Sequence, residues 1–158
     1  MKRDLTEEQL RQEVTICLPL SVVLRINDEP KTAPAPAAGV SALPAIGTEY
    51  EGGIFAGVTL DGDRLAALVL LPGDFNGTWK EAMDWAEKED GVLPSRIDQI
   101  VLRKNVRGEF KNAWYWSAEQ HAELSDYAWS QSFGDGYQYY GYVTNSYRAR
   151  AVRRVPIQ

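Results

Sequence analysis

The chain carries few of the side chains that usually perform catalysis or bind metals. Its 158 residues include one histidine, His121, and one cysteine, Cys17. A Ser-His-Asp triad needs a histidine as general base, but His121 lies between Gln120 and Ala122 in a polar segment typical of an exposed loop. A lone cysteine forms no intramolecular disulfide and supplies no cysteine-rich zinc site. We therefore expect neither residue to take part in catalysis.

Carboxylates offer two further chemistries, glycoside hydrolysis and calcium binding. A glycosidase needs a pair of carboxyl groups, and candidates lie close together at Glu119, Glu123, Asp126 and Asp135. Their spacing is equally typical of solvated loop acids. Asp61-Gly62-Asp63 resembles the start of a calcium-binding loop but lacks the remaining ligands and the terminal glutamate. We therefore predict a protein that is not an enzyme and holds no cofactor or metal.

The balance of charges argues against a nucleic-acid partner. The chain has 17 basic and 22 acidic residues, a formal net charge of −5, whereas nucleic-acid binders usually present a basic face. Several arginines near the C-terminus could bind phosphate: Arg148, Arg150, Arg153 and Arg154. Because acids are abundant, ion pairs are the preferred interpretation of these arginines, with Arg148, Arg150 and Arg154 on one strand face and Arg153 on the other.

The N-terminal part predicts neither membrane insertion nor secretion. The apolar stretch at 16–26 is about 11 residues long, well below the roughly 20 that span a bilayer. No apolar segment follows the charged first residues directly, which is untypical of a secretory signal. We therefore expect synthesis in the cytoplasm, an expectation that also suits a virion component released by lysis.

Composition divides the chain into three parts. Residues 1–28 predict a short helix and a strand. Residues 29–45 are rich in proline and alanine, a composition that builds no core and favours an extended linker. The folded domain is predicted at 46–158.

Within 46–158 the pattern predicts an α+β domain. Apolar runs at 53–60 and 64–71 flank an Asp-Gly turn and indicate a β-hairpin. A polar loop is expected at 105–113. Later strands are predicted at 114–117, 127–133, 137–143 and 147–155. Helices segregated beside an antiparallel sheet define the α+β class.

Two helices are predicted between the hairpin and the later strands. Thr78 and Glu81 form a capping box for the first helix, with Gly91 at its C-terminal cap. Ser95 begins the second helix. Its apolar residues on one face are Ile97, Ile100 and Val101.

Aromatic residues are concentrated in the C-terminal strands. The chain has 5 Trp, 8 Tyr and 4 Phe, and eleven of these 17 lie between residues 114 and 147. Trp116 and Phe133 are expected in the core. The others either fill a small core or form a recognition surface, a use that suits rigid, amphipathic tyrosine. The candidate ligand-binding residues are Tyr137, Tyr139, Tyr142 and Tyr147, with Gln131 and Asn145 as polar neighbours. Strand alternation places Tyr137 and Tyr139 on one face and Tyr140 and Tyr142 on the other.

Six short motifs occur in one order between residues 47 and 155. They are GGIFAG at 52–57, WKEAMDWA at 79–86, LPSR at 93–96, WYWSA at 114–118, AWSQSFGDG at 128–136 and RARAVRR at 148–154. This order resembles the Lcl C-terminal-domain-like family of bacterial and phage proteins, whose fold belongs to the C-type-lectin-like group. The resemblance implies two helices flanking a twisted antiparallel sheet, and a role in adhesion to glycans or cell surfaces. Related variable proteins of diversity-generating retroelements carry their binding residues near the C-terminal end.

Two activities of related folds lack their motifs here. The Glu-Pro-Asn or Gln-Pro-Asp loop and the Trp-Asn-Asp strand of calcium-dependent lectins are missing from 47–155, so we expect no calcium-dependent sugar site. Formylglycine-generating enzymes need cysteines for their copper chemistry, and Cys17 lies outside the domain.

The sequence therefore predicts a non-catalytic protein, encoded by a phage or prophage, that recognises a surface glycan or protein without calcium. A small intracellular inhibitor of a host protein is one alternative. A structural subunit of a phage particle, with residues 1–28 forming a homo-oligomer contact, is another.

Overall fold

A computed structural model describes residues 43–157. The predicted N-terminal segment at 1–28, the homo-oligomer contact assigned to it and most of the predicted linker at 29–45 lie outside the described residues. Strands occupy β1 (Glu49–Tyr50), β2 (Gly53–Asp61), β3 (Arg64–Leu70), β4 (Phe75–Gly77), β5 (Trp114–Gln120), β6 (Tyr127–Ser132), β7 (Gln138–Tyr142), β8 (Tyr147–Ala149) and β9 (Val152–Pro156). The helices are α1 (Trp79–Lys88) and α2 (Arg96–Asn105), and a 3-10 turn follows at Arg107–Glu109.

The strands form two sheets, and the α+β class is confirmed. One sheet has the order β1-β2-β3-β9 and the other the order β4-β8-β5-β6-β7. Neighbours run antiparallel except β5 and β8, which meet in parallel at Tyr115 and Arg148. The predicted hairpin is confirmed: β2 and β3 pair from Ile54↔Leu70 to Asp61↔Arg64, and Asp61-Gly62-Asp63 leads through its turn.

The single strand predicted at 147–155 was wrong, because the chain changes sheets there. β8 pairs with β4 and β9 pairs with β3. Arg150, between them, is buried and donates to the carbonyls of Glu109 and Leu71. The break also ends the simple alternation expected of the four arginines. Ion pairs are confirmed for three of them, Arg148 with Asp74, Arg153 with Asp90 and Arg154 with Asp98.

Helix α1 begins as predicted and ends differently. Thr78 and Glu81 form the full capping box. At the other end the left-handed residue is Asp90, with φ 58°, rather than the predicted Gly91. A Cβ on Gly91 would lie 2.6 Å from Leu71 and 2.9 Å from the Val152 carbonyl oxygen. The Gly91 N–H still caps the helix by donating to the Ala86 carbonyl at 3.0 Å, and close packing is what requires a glycine at this position.

Helix α2 begins at Ser95 as predicted, and the face that carries Ile97 and Ile100 is not the face that the helix buries. Ile97 and Ile100 are 69% and 55% exposed, while Asp98 and Gln99 are completely buried. The Asp98 carboxylate accepts from Thr59 Oγ1 at 2.5 Å and pairs with Arg154. The Gln99 side chain donates to the carbonyls of Tyr115 and Trp116 at 3.0 and 3.1 Å. These polar contacts, together with the buried Leu102, determine the rotation of the helix.

The core contains the two aromatic residues expected in it. Trp116 and Phe133 are both 0% exposed. Phe133 stacks on Phe110 with ring centroids 3.9 Å apart, so the loop predicted at 105–113 also contributes a core side chain. The Trp116 indole N–H donates to the Gly77 carbonyl at 3.0 Å.

The buried Asp98 pair predicts an acid-sensitive component of stability. Burial raises the pKa of Asp98, but hydrogen bonds from Thr59, Ser95 and Arg154 outweigh it and hold the pKa below its usual value. The pair therefore stabilises the fold fully above the unfolded pKa of about 3.9, and this contribution is lost as pH falls through the lower folded pKa. We expect Asp98→Asn to reduce the unfolding free energy at pH 7 by about 3 kcal/mol, because it leaves Arg154 without its counter-charge.

Urea denaturation at pH 7 and across the acid range measures both effects. The acid decline in stability should be shallower in Asp98→Asn than in the wild type. Asp84→Asn is the matched control, since it breaks the exposed Lys80–Asp84 pair and should cost less than about 1 kcal/mol. Equal losses in the two variants would contradict the assignment.

Candidate functional site

The exposed tyrosines lie on β7 or directly before it, at the edge of the five-stranded sheet. Among residues 43–157, β7 pairs with β6 alone. Tyr137, Tyr139 and Tyr142 are 72%, 59% and 53% exposed. These three of the predicted contact residues are therefore accessible to a partner, as the prediction requires.

The hydrogen-bond register leaves main-chain groups of β7 pointing away from the sheet. Ser132 N–H donates to the Tyr137 carbonyl, and Val143 N–H donates to the Asp126 carbonyl. Hydrogen-bonded pairs alternate with non-bonded pairs along an antiparallel ladder. The N–H and C=O groups of Gln138 and Tyr140 thus face the open edge.

One face of the β6–β7 pair carries a continuous cluster of rings, which we call the aromatic face. It comprises His121, Tyr127, Trp129, Tyr140 and Tyr142. The closest centroids are those of Tyr127 and Tyr142, at 4.3 Å. The Tyr127–Tyr142 and Trp129–Tyr140 pairs stand directly opposite each other in the register, where side chains of an antiparallel pair approach most closely.

Tyr139 joins this cluster although alternation places it on the other face. Its ring stacks on that of Tyr140 with centroids 4.6 Å apart and planes 14° apart. Neighbouring residues in a strand point to opposite faces, so the two rings can meet only around the open edge of β7. The backbone therefore directs Tyr139 and Tyr140 to opposite faces of the strand, as predicted, but their rings contact each other.

A buried polar network supports the aromatic face from α2. The Gln138 amide nitrogen donates to the Arg96 carbonyl at 2.7 Å and to Gln131 Oε1 at 2.8 Å. The Arg96 guanidinium lies 3.6 Å from the centroid of the Trp129 ring. This contact is a cation–π interaction. It joins the start of α2 to β6, the neighbour of the edge strand, and it was not predicted from the sequence.

The predicted polar neighbour Gln131 lies inside the protein. It is 1% exposed, and its amide donates to the Gln99 carbonyl at 3.3 Å. Gln131 therefore belongs to the support of the surface and is not free to touch a ligand. The burial of Gln131 could not be predicted from the sequence, because an exposed loop amide and a buried core amide are the same residue type.

Tyr147 and Asn145 lie apart from the aromatic face. The half-buried Tyr147 ring packs on Trp116 with centroids 4.4 Å apart. It also covers Gly141, where a Cβ would come within 2.8 Å of the ring. Gly141 faces away from Tyr140 and Tyr142, so Tyr147 packs on the opposite side of the sheet. The Asn145 amide donates to the Tyr147 hydroxyl at 3.3 Å.

Two of the groups considered for catalysis, His121 and Glu119, accept hydrogen bonds from the backbone. His121 Nδ1 accepts from the backbone N–H groups of Glu123 and Leu124, both at 3.2 Å. Glu119 accepts from the Arg96 backbone N–H at 2.8 Å. Over residues 43–157, no three His, Cys, Asp or Glu side chains are grouped as a metal site would need. In the same range, no helix combines the length and apolarity needed to cross a membrane.

Comparisons with protein-family models and with curated protein sequences identify no relative of the chain.

Hydrogen bonds between tyrosines alter titration at the aromatic face. The Tyr142 hydroxyl, as hydrogen-bond partner, raises the pKa of Tyr127 to about 12. We expect Tyr142→Phe to return the pKa of Tyr127 toward 10, since the ring is kept and the hydroxyl is lost. Nuclear magnetic resonance titration of tyrosines labelled at Cζ resolves each residue.

Tyr139→Phe provides the matched control for that titration. The Tyr139 hydroxyl raises the pKa of Tyr140, so this variant should lower the pKa of Tyr140 and leave Tyr127 unchanged. A Tyr127 titration that is identical in Tyr142→Phe and the wild type would show that the two hydroxyls are not bonded.

Proposed function

We propose that this protein is a non-catalytic binding module that contacts a surface glycan or protein through its exposed edge tyrosines, without calcium. The observation that supports the proposal best is the exposure of Tyr139 and Tyr142 on β7 and of Tyr137 directly before it. Large exposed rings in a contiguous group are costly to leave in water and typical of interaction sites. Tyrosine also loses little conformational entropy on contact.

The edges of the two sheets differ in how they are protected, and this difference favours β7 as the contact strand. Proteins commonly blunt exposed edges with short strands, charges or proline. β1 and β4 have two and three residues, and β9 carries Arg153, Arg154 and Pro156. β7, with the sequence QYYGY, has none of these features. Its open edge is consistent with use by a partner.

Rigidity of the surface is the second argument for recognition. Gln138 is held by α2 through Arg96, and by β6 through the buried Gln131. Trp129 is in contact with both the Arg96 guanidinium and the His121 ring. A surface that is ordered before binding avoids the entropic cost of ordering its side chains in the complex.

The same proposal includes a C-type-lectin-like fold and an origin in a phage or prophage. Support comes from the order of elements, a hairpin followed by two helices and then strands, and from β9 returning to pair beside the hairpin. The motif order that resembles the Lcl C-terminal-domain-like family agrees with this architecture. Synthesis in the cytoplasm followed by incorporation into a virion would suit an adhesive role.

Binding of the full chain to two sets of probes tests the function. A glycan array that includes bacterial surface polysaccharides and a display library of bacterial surface proteins are incubated with the labelled protein. We expect the substitutions Tyr137→Ala, Tyr139→Ala and Tyr142→Ala to weaken binding to the selected probe at least about tenfold when combined, as for residues that dominate an interface. The chelator EDTA should leave binding unchanged.

Val92→Ala is the control, because Val92 is 46% exposed and lies away from β7. It should bind as the wild type does. Failure of the wild type to bind any probe, or full binding by the triple variant, would contradict the proposal.

A further inference from the structure

A second exposed surface, distinct from the tyrosines, is apolar. It comprises Val58, Leu60, Leu65, Ile97 and Ile100, which are 41% to 69% exposed. Four of them, all except Ile100, line one shallow cavity of about 270 Å³ between the β2–β3 hairpin and the start of α2. Ile100 follows Ile97 by three residues and is its neighbour on the helix surface. We call this set the hairpin–helix patch.

The fold enforces the exposure of this patch. Rotating α2 to bury Ile97 and Ile100 would bring Asp98 and Gln99 toward solvent. That rotation would break the buried contacts of Asp98 with Thr59 and Arg154. Breaking a buried ion pair costs several kcal/mol, so the isoleucines stay outside.

The area of the patch suits an interface. The exposed parts of its five side chains amount to roughly 500 Å², within the range of patches that are often functional on single proteins. Two such patches facing each other would bury about 1,000 Å², the lower limit for a specific protein–protein interface.

The direction of α2 relative to β2 determines which parts of the protein lie at the two ends of the patch. Thr59 contacts Asp98 near the start of α2, while the Asn105 amide donates to the Ala56 carbonyl near its end. Helix α2 and β2 therefore run in opposite directions. The hairpin tip lies at one end of the patch, and the last turn of α2 lies at the other.

The two ends differ in net charge, which is positive at the last turn of α2 and negative at the hairpin tip. Lys104 is exposed and follows Ile97 by seven residues, which places it on the same helix face. At the tip, Asp61 and Arg64 are opposite each other in the strand register without forming an ion pair with one another, and the exposed Asp63 makes the tip negative overall. Within residues 43–157 neither Lys104 nor Asp63 forms an ion pair.

We propose that the hairpin–helix patch binds the same patch of a second copy of this chain, as a two-fold symmetric dimer. A two-fold interface is self-complementary, and antiparallel apposition of two patches sets Lys104 of each copy against Asp63 of the other. The apolar side chains meet in the centre. The dimer does not depend on the tyrosine surface, and it would present two copies of that surface to a multivalent partner.

Sedimentation velocity and light scattering of the full chain over a wide concentration range test the dimer. We expect a species of twice the 17.7 kDa chain mass that dissociates on dilution. The double variant Leu60→Asp, Ile97→Asp should weaken association more than about tenfold, because it places charges in the apolar centre. Leu124→Asp is the matched control, at a loop position that is 44% exposed, and should associate normally.

Charge reversal gives a test that does not depend on the apolar variants remaining folded. Lys104→Glu and Asp63→Lys should each weaken the dimer, and the two together should restore it. A monomer at every concentration, a dimer that Leu60→Asp, Ile97→Asp leaves intact in folded protein, or a charge pair that does not restore association would overturn the proposal.

Discussion

The buried contacts of Asp98 and Gln99 determine how α2 lies on the two sheets. Asp98 joins the helix to the first sheet through Thr59 and Arg154. Gln99, one residue later, joins it to β5 of the second sheet through two backbone carbonyls. Such buried polar groups are costly unless every partner is present. Together they define one rotation of α2 about its axis, and other features of the surface follow from that rotation.

The two exposed surfaces of the domain share this origin. Because Asp98 and Gln99 point inward, Ile97 and Ile100 point outward and extend the apolar surface of the hairpin. The same rotation places Arg96 over Trp129 and brings its carbonyl within reach of Gln138. A change in the buried network would therefore alter both the hairpin–helix patch and the support of the edge tyrosines.

Local signals in the sequence predicted local structure well. The capping box at Thr78, the start of α2 at Ser95 and the Asp-Gly hairpin turn require only contacts between residues close in the chain, and all three are present. Features that depend on contacts distant in sequence were not predicted where the same residue type is compatible with more than one environment. The sequence around Gln131 is compatible with either an exposed or a buried amide. The pattern at 147–155 predicts one strand, because no local residue pattern indicates the change of sheet between β8 and β9.

The sequence alone determined the α+β class, the order of hairpin, helices and strands, and the concentration of aromatic residues in the last strands. These features depend on the local conformational propensities of the residues and on the spacing at which hydrophobic residues recur along the chain. Only the tertiary structure decided which tyrosines are exposed and which face of α2 is buried. Tyr147 packs over Gly141 while Tyr139 turns around the open edge of β7, and nothing in their common residue type distinguishes them. Burial is a property of what packs against a side chain, and that is settled by partners distant in sequence.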